Sequence, residues 1–421
     1  MSHRRIRAHR GIARGWSATA LLTLVLAAHA PAQAQPQDPV RAEVAAPLQA
    51  AQELIRAGRP AEALARIQAA ADVPSRNPQE TYLTERLRGM AAAAAGDEAQ
   101  ALAAYDAALA TGRLPEGERA GVLEALAATA HRLQRPAQVI AYAQAHAQAG
   151  GRSANVLRLR INAHAMQADH LALIAVLQQQ LADGERALLP LDEPLLRMLA
   201  ASQARVPDEA GYLDTLALLL RLSPKPAYWA DVLSRIARTP GMLDRQALDY
   251  LRLAEAVGGL ERAEDRTELV QLALQAGQPA EALRIADAAP VVLRPTSGPE
   301  AERLRRLREL AARQVQEDRA TLRAASAQGR PAEAALSTGL ALVHAGQTAD
   351  GLALMEQAVR RPDVRRPDEA RLHLGQAQLV AGDAARAAET FAGIVGTDAI
   401  AVLARFWRVH ALGHASRNAP V

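Results

Sequence analysis

No cysteine occurs among the 421 residues, lysine occurs once, at Lys225, and aromatic side chains make up only 3% of the chain. Without thiols there is no disulfide framework, no thiolate metal centre, no cysteine nucleophile and no lipid-attachment cysteine. The one lysine sits between Pro224 and Pro226, and nothing around it recommends a Schiff-base role. A Gly-x-x-x-x-Gly-Lys-Ser/Thr phosphate loop, a Gly-x-Ser-x-Gly elbow and a His-Glu-x-x-His pair are all missing. Long β-branched or aromatic runs are scarce too, which argues against a sizeable sheet. Beyond the N-terminus no apolar run reaches the ~20 residues that a membrane helix needs, and no series of alternating ten-residue strands suggests an outer-membrane barrel.

What the chain has is alanine and leucine: half of its residues are hydrophobic. A core made of such residues means helices packed at short range. The length exceeds what one compact core usually organises, so an elongated array or several domains are expected. Residues 1–34 read as a targeting segment cleaved after Ala34. Arg4, Arg5, Arg7, Arg10 and Arg14 precede the apolar run 18–28, and Ala32-Gln33-Ala34 supplies small residues at the cleavage point. The run is too short to span a bilayer comfortably. Taking those five arginines from the 49 basic residues leaves 44 bases against 45 acids, a net charge of −1. The excess of base belongs to the leader, so nucleic acid is not an expected partner. The expectation is export, by the ordinary Sec route, to the periplasm or beyond.

The stretch Ala57-Gly58-Arg59-Pro60-Ala61-Glu62-Ala63-Leu64 returns as Ala276-Gly277-Gln278-Pro279-Ala280-Glu281-Ala282-Leu283, and in worn form as Gly329-Arg330-Pro331-Ala332-Glu333-Ala334. Glycine ends one helix, proline presets the first turn of the next, and small apolar residues allow close packing. From Ala45 the chain therefore reads as paired helices of 12–16 residues. One recurring position of the second helices marks the period: Ala63, Ala101, Val139, Leu173 and Tyr212, then Ala282, Gly351 and Ala387, with Val139, Leu173 and Tyr212 larger than the small residue found at the others.

These spacings resemble the tetratricopeptide repeat, a 34-residue helical hairpin. The last unit carries the likeness best, with Leu374-Gly375, the turn Gly382-Asp383, Ala387 and the aromatic Phe391. Gly339, Gly346, Gly351, Met355, Ala358 and Pro362 follow the same order. So do Gly89, Gly96-Asp97, Ala101, Tyr105 and Ala108. Other two-helix repeat classes also fit the degenerate stretches 120–190 and 227–262. The resemblance implies an all-α, right-handed superhelical solenoid of antiparallel hairpins. The expected organisation is a lead-in at 35–44, a first array at 45–290, a linker and charged helix at 291–330, further repeats at 331–398, and a capping helix and tail at 399–421. The charged helix presents Leu304, Leu307, Leu310 and Ala311 as one apolar stripe.

In this family the first helices line a concave groove that holds partner segments. The matching positions here are Arg86, Arg158 and Arg197, with Arg132 and Arg205 farther along their units. Asn155 and Asn162 stand three residues before and four after Arg158, on its face of the helix. Guanidinium with carboxamide suits recognition of a carboxylate and a peptide backbone. His410 and His414, one turn apart, have chelating spacing but no third ligand nearby in sequence. They read as polar residues of a terminal helix, as do His164 and His170 at a turn. Phe406-Trp407 and Tyr228-Trp229 read as packing residues. The resulting expectation is a non-enzymatic scaffold of the bacterial envelope, with no cofactor or metal, that binds an acidic or extended segment of a partner protein. The alternative is an accessory subunit of an envelope export or TonB-type transport system, since 227–290 also looks like envelope repeat proteins that accompany such transducers.

Overall fold

The computed structural model describes residues 38–288, 297–323 and 331–418. The leader 1–34, most of the linker and the worn turn at Gly329-Arg330 lie outside these residues. Among them every regular element is a helix, and consecutive helices pack on one another. The chain divides into two compact units, Met1–Leu159 and Arg160–Val421.

In the first unit α1 is Ala42–Arg56, α2 Pro60–Ala71, α3 Pro78–Ala94, α4 Glu98–Ala110, α5 Glu116–Arg132 and α6 Pro136–Gln148. The helix α7, Ala154–Met166, crosses the division. The segment 38–41 is pinned rather than loose. Arg41 donates from its backbone N, Nε and Nη2 to the buried Glu80 carboxylate at 2.9 Å each. Asp38 takes Arg113 Nη2 at 2.6 Å, and Pro39 O takes Asn77 Nδ2 at 3.0 Å. Helix α1 accordingly starts at Ala42, inside the stretch expected as a lead-in.

The second unit continues with α8 His170–Asp183, α9 Glu193–Gln203, α10 Glu209–Leu222, α11 Pro226–Ile236, the short α12 Met242–Arg245, and α13 Ala247–Ala256. Then come α14 Ala263–Gln275, α15 Pro279–Asp287 and the charged α16 Gly298–Arg323. The last five are α17 Ala332–His344, α18 Thr348–Val359, α19 Pro367–Val380, α20 Ala384–Ala392 and α21 Ala399–Asn418.

Two turn chemistries start most of the second helices. In one, glycine with φ near +70° (Gly58, Gly277) precedes proline in the first turn of α2 and α15. In the other an aspartate caps the helix: Asp97, Asp169, Asp208 and Asp383 accept the backbone N–H three residues on at 2.8–3.2 Å. Both satisfy or dispense with an orphan donor at the helix start. The marker residues Ala63, Ala101, Val139, Leu173, Tyr212, Ala282, Gly351 and Ala387 are all buried.

The end of the chain does not stop at its own repeats. One hydrophobic core runs from Leu196 to Ala311 and takes in Phe391, Phe406, Trp407 and their neighbours. Helix α21 packs on α19 and α20 and also on α10, α11 and α13. Trp229 of α11 meets Phe406 edge-on at 6.3 Å, and Trp407 stacks on Phe391 at 6.1 Å. Arg405 Nη1 reaches Asp214 of α10 at 2.7 Å. Within the second unit, then, the C-terminal helices close onto the middle ones.

Candidate partner-binding face

The groove candidates of the first unit have different surroundings. Arg86, on α3, is half-buried, with its guanidinium 5.9 Å from the Tyr82 ring centroid. Arg132, the last residue of α5, is held by Glu98 Oε1 at 2.8 Å and Thr129 Oγ1 at 3.0 Å. Asn155 and Arg158 on α7 are exposed, and among the described residues Arg158 has no hydrogen-bond or ion-pair partner.

In the second unit Asn162 is half-buried, while Arg197 on α9 and Arg205 just beyond it are exposed. Arg197 belongs to a cluster that its position in the repeat frame did not reveal. Across from it, at the start of α11, Lys225 and Tyr228 share one carboxylate. Tyr228 Oη donates to Glu193 Oε1 at 2.7 Å, and Lys225 Nζ makes an ion pair with the same oxygen. The lysine ammonium also lies 5.8 Å from the Tyr228 ring centroid. Donation from Lys225, then from Tyr228, holds Glu193 down to about 2, and the bond to Glu193 raises the Tyr228 hydroxyl. The positive field of Arg197 reaches Tyr228. Lys225 and Tyr228 thus share one carboxylate, with the exposed Arg197 of α9 close enough to act on the same phenol. Pro224 and Pro226 bracket Lys225 and present it ahead of the helix. The sequence signal for this cluster was only the isolated lysine beside an aromatic pair.

A second polar cluster is buried. On α13, Arg252 binds Glu281 of α15 through two bonds, Nε to Oε1 at 2.8 Å and Nη2 to Oε2 at 2.7 Å. Its Nη1 donates to Asp249 Oδ1 at 3.1 Å. Gln376 of α19 donates to the same Asp249 oxygen at 3.2 Å, and His373 Nε2 meets Asp249 Oδ2 at 3.2 Å. His344, at the end of α17, places Nε2 3.8 Å from Glu281 Oε2. Burial alone would raise both acids. The charges and hydrogen bonds of His373 and Arg252 outweigh it and hold Asp249 below its usual range, while Arg252 does the same for Glu281. The two carboxylates push Arg252 upward despite its burial. The cluster did not stand out in the sequence, because apart from the Asp249–Arg252 pair, three residues apart, its hydrogen-bonded partners lie 29 to 127 positions apart.

The histidine pairs fall into other settings. His410 packs against Trp407 at 5.8 Å and Trp229 at 6.4 Å, with His414 4.5 Å away. His164 is buried beside Asp169, whereas His170 faces Ser202. Among the described residues no three His, Asp or Glu side chains converge as metal ligands. Nor is any described helix long and apolar enough to cross a membrane.

No protein-family model and no curated protein matches the chain. The class defined by fold and surface is that of a helical-repeat-like, all-α protein, compatible with a tetratricopeptide-repeat-like fold.

Proposed function

We propose that the chain is an exported scaffold of the bacterial envelope. In this reading residues 1–34 are removed, the helices form a right-handed solenoid of antiparallel hairpins, and no reaction is catalysed. The first helices of the hairpins hold an acidic or extended segment of a partner protein. The turn chemistry and the buried markers support the repeat assignment. The observation that carries the binding assignment is Arg197 on α9, exposed and without an ion-pair partner among the described residues, acting on the same Tyr228 as Lys225. Exposed Arg158 with Asn155 offers comparable chemistry in the first unit. Guanidinium forks suit incoming carboxylates, and a pre-formed helical surface spares the ordering cost of binding.

In-cell photo-crosslinking from position 201, exposed on α9 one turn beyond Arg197, tests the reading. The expected product is one envelope protein, joined through an acidic segment, whose capture is lost with Arg197→Ala and weakened by added salt. Capture of nothing, or capture indifferent to Arg197→Ala, overturns it.

A further inference from the structure

The His344 side chain is 5% exposed and sits where the last helices meet the middle of the second unit. Its Nδ1 is buried without a hydrogen-bond partner among the described residues. The charged groups acting on the ring come from two helices: Glu281 and Arg284 on α15, and Arg252 and Glu255 on α13. On α18, which also packs against α17, the acids are the exposed Asp350 and the half-buried Glu356, the latter held by Arg386 at 2.5 Å. From α19, His373 and Gln376 hold the far end of the same cluster through Asp249.

We propose that His344 is an acid-sensitive latch, whose protonation loosens the seam at which α17 and α19 close onto α13 and α15. The neutral ring fits a site where Arg252 already engages Glu281 through both of its oxygens. A proton on His344 adds a second buried cation beside Arg252, and Glu281 has no oxygen left to give it undivided. Burial of a charge without a full partner is costly, so the seam opens instead. Burial, the largest cause, pushes the His344 ring below its ordinary value. The sign follows from linkage. An unfolded histidine takes its proton near ~6.5 and the buried one resists it. The seam therefore keeps its strength above that pH and loses it as pH falls below.

Hydrogen exchange of the full chain at pH 7.5 and pH 5.2, corrected for intrinsic rates, reads the seam directly. Amides of 335–343 and 281–286 are expected to open at least threefold more at the lower pH in the wild type. In His344→Gln, which keeps a polar side chain but cannot titrate, that step should vanish. The imidazole resonance of His344 supplies an independent readout that needs no variant. A step that persists in His344→Gln, the absence of any step in the wild type, or a His344 titration at or above the ordinary histidine value each overturns the proposal.

Discussion

Arg252 and Glu281 are joined by two parallel hydrogen bonds, 2.8 and 2.7 Å long, although their side chains are only 7% and 3% exposed. A buried pair of this kind contributes little net stability over apolar residues of the same volume, but it penalises loss of one partner heavily. Arg252→Ala is expected to destabilise the second unit by about 3–5 kcal/mol in urea unfolding, as is Glu281→Ala. The double replacement Arg252→Met with Glu281→Leu should cost clearly less than the sum of the single changes. Strict additivity would show that the two side chains act independently.

Close approach of helices rests on glycine at one crossing. A Cβ on Gly351 would lie 2.5 Å from the Gly339 carbonyl oxygen and 2.9 Å from Val343 N, both backbone atoms that cannot swing aside. Gly351→Ala should therefore lower stability by about 1–3 kcal/mol. Gly413, inside α21, has no atom within 4 Å of its would-be Cβ. There, alanine should stabilise by about 0.5–1 kcal/mol through helix propensity alone. Equal effects of the two changes would show that α17 and α18 do not meet through these glycines.

The segment 38–41 should come free in acid. Donation from Arg41 holds Glu80 down to about 2. A carboxylate with a lowered value stabilises the fold above its ordinary range and loses that effect as pH falls toward the lowered value. Exchange protection of Arg41, whose backbone N–H bonds to Glu80, should be intact at pH 5 and fall progressively between pH 4.5 and 2. Glu80→Gln should show weak protection of the same amide at every pH. Unchanged protection down to pH 2 in the wild type would mean that other contacts pin the segment.

Two copies of one octapeptide mark how far a local pattern reaches. In both, glycine ends a helix and proline starts the next, and the following alanine, Ala63 or Ala282, is fully buried. Periodicity is enough for that much, because it depends on neighbours close in the chain. The glutamates of the two copies differ. Glu62 is an exposed partner of Arg59, whereas Glu281 is buried against Arg252. Arg59 is three residues from Glu62, but Arg252 is 29 from Glu281. The local sequence supplies the first partner, since Arg59 stands where the second copy has Gln278, but nothing near Glu281 in the chain points to Arg252. The same limit applies to the surface arginines. A repeat frame selects Arg132 and Arg158 alike, but only the fold brings Glu98 to Arg132. It also brings Tyr228 and Lys225 together around Glu193, beside Arg197.

Helix α21 was expected as a cap over the last repeats, and its packing assigns it further work. Phe406 is fully buried and lies edge-on to Trp229, 177 positions earlier in the chain. Phe406→Ala removes a large core side chain and should cost about 3–5 kcal/mol. Where the loss is felt separates two roles. A helix that only covered the terminal hydrophobic face would, when weakened, increase exchange in α19 and α20 alone. A helix that also completes the core of the middle region would loosen α10, α11 and α13 as well, since all three pack on it. Exchange of Phe406→Ala at neutral pH should therefore show protection lost across 209–256 together with 367–392. If 209–256 keeps its protection, α21 acts as a terminal cover, and the middle helices of this unit hold their core without it.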